Sequence, residues 1–278
     1  MKNSSMKEGK KREADIVASM GLIAAFVAQR IKVAMAYRFD FFISSVATIA
    51  FGVVNISLLW AICSRIPNLL GWSFDELLLI YGLGELNVGI LFMFFSFLFS
   101  VPAQQIVEGR LDQKLVRPLP VFLQLAAEGF SFKDTIIIAK GVAIVAYASS
   151  RLSLDLSLGK VLFVVLLCLS AGAIYASVFT IFTSLSFWVV DRTGLINPLF
   201  PISDFSRFPL TIYPLGIRIF LTYLIPFAFV AFYPATVIVG RAEFTAMASI
   251  APVVAVVFGF IASRIWKAGL LRYESTGT

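Results

Sequence analysis

Histidine is absent from this 278-residue chain, and cysteine occurs only twice, at Cys63 and Cys168. Without histidine, the commonest metal ligand and the usual acid–base group near neutral pH are both missing. Most metal centres and most acid–base catalysts operating near neutral pH are thereby excluded. The two cysteines lie in apolar runs, where a thiol behaves as a small hydrophobe, and no disulfide is expected between them. Charge is scarce as well. Asp, Glu, Lys and Arg make up 14% of residues, against about 25% in an ordinary soluble domain. No polar stretch is long enough to build a second, water-soluble core. There is no G-x-x-x-x-G-K-[ST] phosphate loop, so the chain should not bind and hydrolyse ATP by that route. No G-x-S-x-G nucleophile turn occurs either, and a membrane-embedded enzyme lacks the cluster of polar catalytic residues it would need. No internal repeat is visible, which argues against the inverted-repeat carriers.

What the sequence has instead is apolar length: 59% hydrophobic residues, 28 of them phenylalanine, and a mean hydropathy of +0.92. These values predict an all-α membrane protein. The polar, Lys-rich stretch Met1–Arg12 reads as a cytosolic tail. Asp15–Arg38 has an apolar run too short to span and a basic end, which suits a helix lying in the membrane interface. Ala34-Met35-Ala36 imitates a signal-peptide cleavage site. Arg30 and Lys32, however, stand between the apolar run and that site, where a signal peptide is uncharged. Residues 1–38 are therefore expected to form the tail and interfacial helix, and 39–278 a six-span domain. Its spans fall near 39–63, 76–101, 135–149, 161–190, 217–239 and 246–266, leaving Pro102–Asp134 and Asp191–Gly216 as the longer, cytoplasmic connections.

Two patterns support this threading. With both termini cytoplasmic, only Arg65, Arg151, Lys160 and Arg241 of the 23 basic residues fall outside, and Lys140 lies within a span. That asymmetry follows the positive-inside rule and accounts for the net charge of +7 without nucleic acid. Trp60 and Trp72 bracket the outer edge while Trp188 and Trp266 lie near the inner one, as interfacial indoles should.

Within the spans, Glu85 lies roughly 15 Å deep at about 1.5 Å per residue. A carboxylate there costs about 2.5–3.5 kcal/mol, so it should face the bundle interior or a cavity. Glu85 and the adjacent Asn87 are candidates for attracting a cationic substrate or relaying a proton. The structural alternative is an ion pair between Glu85 and Lys140, which lies at comparable depth in the third span. Pro226 and Pro234 interrupt the fifth span, either as a flexing broken helix or as a static kink. The run Phe92–Phe99 is expected to contact lipid. Small residues at Ser170–Ala173 and Ala176-Ser177 suit close helix packing.

The first cytoplasmic connection contains Glu108-Gly109-Arg110-Leu111-Asp112-Gln113-Lys114-Leu115-Val116-Arg117-Pro118-Leu119-Pro120. A helix leaving the second span should stop near Gly109, and the two prolines fix the chain again. Between them Leu111 and Leu115, with Val116 less regularly, form an apolar stripe flanked by Arg110, Asp112, Lys114 and Arg117. Such an element suits a groove on a soluble partner or the headgroup layer.

This segment resembles the cytoplasmic loop of type-2 ABC exporter permeases. Tyr37–Phe42, Phe208–Pro214 and Ile225–Ala235 are similar to other regions of the same group, in a bacterial branch that includes viologen-exporter-like multidrug permeases. The resemblance implies an N-terminal interfacial helix, six spans in the bacterial inner membrane and pairing with a second permease copy or homologue. It also implies separate cytoplasmic ATPase subunits that use ATP and Mg, while this chain binds no cofactor or metal. Glu108–Pro120 would then be the coupling loop, carrying nucleotide-driven movement into the spans. The short expected outer connection, Gly240–Thr245, departs from larger exporters and disfavours a polymer as cargo. A small amphipathic or cationic drug, a lipid or a peptide fits better. The rival reading is a carrier driven by an ion or proton gradient through Glu85.

Overall fold

The computed structural model describes residues 28, 29, 32, 37–66, 69–152, 154, 157–189 and 195–275. The expected tail, most of the expected interfacial helix and residues 190–194 lie outside that set. Among the described residues the regular structure is helical, apart from one isolated bridge between Leu69 and Trp72.

Among the described residues four helices are long and apolar enough to cross a membrane: Arg38–Arg65, Phe74–Val107, Leu158–Phe187 and Ala242–Arg272. The second begins with α2 (Phe74–Phe95), after α1 (Arg38–Arg65). Its start is set by a capping box. Ser73 Oγ accepts from the Glu76 backbone N–H, and a Glu76 carboxylate oxygen accepts from the Ser73 N–H at 2.8 Å, which satisfies two backbone donors freed at the helix end. Its far end loosens into a 3-10 turn and a π-helical turn, Val101–Val107, with Pro102 at the point of change. Residues on every side of α2 are buried, which makes it the axis of the bundle.

The other elements can be placed by what they touch along α2. Helix α3 (Asp112–Leu115) and α4 (Val121–Glu128) form the connection to α5 (Thr135–Arg151). Helix α5 runs antiparallel to α2, in contact through glycines. A Cβ on Gly89 would lie 2.8 Å from the Ile138 backbone nitrogen, and one on Gly141 would lie 2.7 Å from that of Leu86. Side chains at these positions would push the helices apart, so small residues create this interface. Helix α6 (Leu158–Ser184), capped by Ser157, runs parallel to α2, meeting it from Asn87 opposite Gly172 to Leu98 opposite Thr183. Helix α11 (Ala251–Arg272) packs along α6 in the same direction, with Gly259 opposite Ser177 and Gly269 opposite Phe187. The bundle thus has a Trp72 end and a Trp266 end. Helix α1 lies at the edge, with 17% of its most apolar window buried.

The stretch after α6 departs from the sequence expectation. Asp191–Gly216 was expected to be a cytoplasmic connection, but residues 195–212 run alongside α2 from one end to the other. Phe200, in α7 (Leu199–Asp204), packs on Phe92, Phe99 and Phe179. Arg207 lies against Gly84 at mid-bundle, and Thr211 accepts a 2.8 Å hydrogen bond from the Trp72 indole. Pro198, Pro201 and Pro209 forbid a continuous helix here. A short helix, 3-10 turns and extended links replace it, reaching roughly 27 Å, close to the hydrocarbon thickness of about 30 Å.

The stretch expected as the fifth span, 217–239, is instead two helical arms, Leu215–Leu224 and Phe227–Val239, bent by 80°. Both ends sit at the Trp72 end. Helix α8 (Leu215–Ile219) is tied there by Arg218, which donates to the carbonyls of Thr211 and Tyr213. Helix α9 (Phe232–Val239) ends at Gly240 in the left-handed conformation, φ +88°. The following Arg241 covers the Trp72 ring at 3.8 Å, pairs with Glu76 at 2.9 Å and donates to the Gly71 carbonyl. The tip reaches Asn87, which donates to the Val230 carbonyl at 3.0 Å, about 20 Å along α2 from the capping box. The segment enters and returns on one side. Helix α10 (Thr245–Ser249) then leads into α11. The element at the Trp72 end between the last two long segments is therefore the hairpin itself, larger than the short Gly240–Thr245 link expected. The size argument against bulky cargo loses its basis.

The aromatic run Phe92–Phe99 is another difference. Phe92 and Phe99 stack on each other and on Phe200, and Phe97 and Leu98 are buried, so most of this run packs against protein. Phe94, with 45% exposure, remains outward. Cys63 and Cys168 are free thiols.

Candidate functional site

At mid-depth three elements bring their charges together. Glu85, with a side chain 3% exposed, accepts from Lys140 of α5 at 2.6 Å and from Arg207 at 3.1 Å. Arg207 also reaches Asp204 of α7 at 3.4 Å. Two anions and two cations make the cluster neutral, as a low-dielectric interior requires. Each contact has a local cause. Gly84 leaves room for the Arg207 stem, whose Cγ lies 3.0 Å from where a Cβ would stand, and Gly52 of α1 does the same for Lys140 at 2.8 Å. Lys140 also donates to the Thr48 carbonyl at 3.5 Å, so α1, α2, α5 and the 195–212 segment meet on one group of charges. Arg207 lies 6.0 Å from the centre of the Tyr81 ring.

Asn87, two residues along from Glu85, serves a different contact. Its amide donates to the Leu83 and Val230 carbonyls, securing the hairpin tip. Pro226 stands at the bend, where Ile225 and Pro226 separate the two arms. Pro234 occupies the third position of α9, where the missing N–H has no helical partner to lose. The two prolines thus do different things: one turns the chain, and the other is accommodated.

The Glu108–Pro120 loop closes on itself at the Trp266 end. Gly109, with φ +69°, supplies the left-handed turn that ends the π segment. Leu111 is fully buried and Lys114 is 7% exposed. Lys114 and Arg117 both pair with Glu128 of α4, while Gln124 donates to the Lys114 and Leu119 carbonyls. Asp112 accepts from Ser275 at 2.6 Å, which draws the end of α11 onto the loop. Burial, followed by the nearby Asp112 carboxylate, pushes the Tyr273 phenol up to about 12. The expected stripe is corrected accordingly. Leu111 belongs to the core, and the outward apolar surface is Leu115, 47% exposed, with Val116, 84% exposed. Arg110, paired with Glu108 at 2.9 Å, and Arg117 and Pro118 border it.

Arg207 and Asp204 escaped the sequence reading because prolines marked their segment as a loop. A usable signal was present. From Leu195 to Tyr213 they are the only charged residues, opposite in sign and three apart.

A bundle of apolar helices around a neutral charge cluster is the architecture of a membrane-embedded protein. Residues 49–277 match the sequence profile of the ABC-2 family transporter protein, and the chain belongs to that family. It is thus the permease component of an ABC transporter, a multi-pass membrane protein that associates with an ABC ATPase. The chain matches no curated protein and no solved structure.

Proposed function

We propose that this permease forms half of a dimeric export path in the bacterial inner membrane, resembling the viologen-exporter-like multidrug branch. The chain crosses the bilayer six times: by α1, by the helix beginning with α2, by α5, by α6, by residues 195–212 and by α11. The Trp266 end and both termini are cytoplasmic. A second copy or a homologue completes the path, and ATP and Mg are used by the partner ATPase. Leu115 and Val116, with Arg110 and Arg117, are the docking surface through which ATPase movement enters the bundle. Its tie to Ser275 passes that movement to α11, and Gly109 to the helix of α2.

The observation that carries this reading is Asp204. Its side chain is 59% exposed, next to Arg207 and near the depth of Glu85, at the last residue of α7, where that short helix gives way to a 3-10 turn. Lipid does not accept an open carboxylate or unwound chain at that depth; a protein neighbour or a water-filled cavity does. The Asp204 side of the 195–212 segment therefore faces the path, and an acidic group there favours a small cationic or amphipathic substrate. Glu85, held by two cations, anchors the path wall.

Accessibility tests this directly. In a background with Cys63→Ser and Cys168→Ser, Asp204→Cys should react with a membrane-impermeant maleimide. Leu169→Cys, 69% exposed on α6 at similar depth, should not. Equal protection of both sites overturns the path assignment. Copurification of a Walker-motif subunit, with transport that stops without ATP, supports the export reading. Gradient-driven transport with no nucleotidase present overturns it.

A further inference from the structure

Between α6 and α11, in the half of the bundle nearer Trp266, lies a cavity of about 410 Å³. Its size falls in the range of small-molecule sites. It exists because both walls are built of short side chains, among them Ala176 and Ser177 on α6 and Gly259 and Ala262 on α11. A Cβ on Gly259 would meet only Ser177 Oγ, at 3.8 Å, whereas the α2–α5 glycines are in backbone contact. The two helices stand apart here.

The wall hydroxyls do not make the cavity polar. Ser177 donates to the Ala173 carbonyl at 2.6 Å, Thr180 to Ala176 at 2.8 Å and Ser263 to Phe260 at 2.7 Å. Each is satisfied by its own helix, so the cavity presents an apolar lining. Such a space stays dry and takes an apolar guest. Its mouth is different. Lys267 lines it and makes no ion pair among the described residues, and the same holds for Arg264 nearby. Trp266, wedged between Phe122 at 5.3 Å and Phe187 at 5.5 Å, forms the rim.

We infer that this cleft holds one acyl chain of an anionic phospholipid drawn from the bilayer, with its phosphate on Lys267. Length and charge both select that guest. From Gly259 to Lys267 the cleft extends about 12 Å along α11, near the roughly 15 Å depth of one leaflet's hydrocarbon. An unpaired lysine between helices at the membrane surface favours an anionic headgroup over a zwitterionic one. The site is separate from the Asp204 path, so a lipid here is a structural or regulatory occupant rather than cargo.

Quenching of Trp266 by acyl-brominated lipids tests it. The full chain in detergent is titrated with brominated phosphatidylglycerol or brominated phosphatidylcholine, and the Trp266→Phe variant isolates the Trp266 contribution. Phosphatidylglycerol should quench at about fivefold lower mole fraction, the factor expected of one interfacial cation. Lys267→Gln should erase that preference, and Gly259→Leu should fill the cleft and abolish quenching by both lipids. Ala173→Leu, on the opposite wall, serves if Gly259→Leu fails to fold. Equal quenching by the two lipids in the native chain overturns the inference. So does unchanged quenching in a folded, filled variant, or displacement of the lipid by a free brominated fatty acid at lower concentration.

Discussion

Replacing Glu85 with glutamine removes the one anion that Lys140 and Arg207 share. Their side chains, 12% and 15% exposed, are left with only Asp204, 3.4 Å from Arg207. Breaking a buried pair by deleting one partner costs about 3–5 kcal/mol, because the orphaned charge stays in the interior. Lys140→Gln should cost less, about 1.5–3 kcal/mol for a lost charged hydrogen bond, since Glu85 keeps Arg207. The double variant leaves Arg207 with Asp204, again neutral, and should be more stable than the sum of the two losses predicts by about 0.5–3 kcal/mol. Exchanging the charges, Glu85→Lys with Lys140→Glu, should not restore stability, because Arg207 would then face a cation at position 85. Denaturant unfolding of the purified chain in one detergent, followed by tryptophan fluorescence, measures all four. If Glu85→Gln lies within about 0.5 kcal/mol of the native chain, the range of an ordinary surface change, the cluster reasoning is wrong. Strict additivity, or rescue by the exchanged pair, refutes it too.

Other consequences are more local. Gly141→Leu should destabilise the bundle by at least about 1–3 kcal/mol, the usual cost of overpacking, because its side chain would meet the Leu86 backbone; the same unfolding assay reads it. In the loop, Leu111→Asp should lower yield and stability sharply, as it buries a charge. Val116→Asp should insert and fold normally but lose ATPase binding in a pull-down. Normal coupling by a folded Val116→Asp, Leu115→Asp variant would remove the docking role of that surface. At the Trp72 end, Trp72→Phe should cost about 1 kcal/mol for its hydrogen bond to Thr211, with a further loss from the Arg241 contact. A Trp72→Phe chain as stable as the native one would argue against the pinning of that segment.

Hydropathy alone was enough for the solvent and for most of the helices. Runs such as 39–63 and 161–190 admit little but a membrane helix, since every backbone group must be satisfied within the segment. The scarcity of charge also made Glu85 and Lys140 conspicuous, and their similar depth raised an ion pair as one reading beside a role for Glu85 in transport. The motifs of Glu108–Pro120 and the later region pointed to the family for a different reason: they are local strings, legible without knowing what they touch.

What the linear pattern misassigned was direction. Residues 217–239 are the more apolar of the two stretches and 195–212 the more broken by proline and charge, yet a hydropathy profile cannot tell a segment that runs the length of the bundle from one that folds back. Contacts far apart in sequence decide it: Trp72 with Thr211, Asn87 with Val230, and Arg241 with Glu76. Arg207 joined the Glu85 cluster only once the proline-broken segment lay along α2, and Leu111 proved internal only once α3 folded against the bundle. Periodicity reports which residues prefer to avoid water. Packing alone determines whether lipid, another helix or a central path takes water's place.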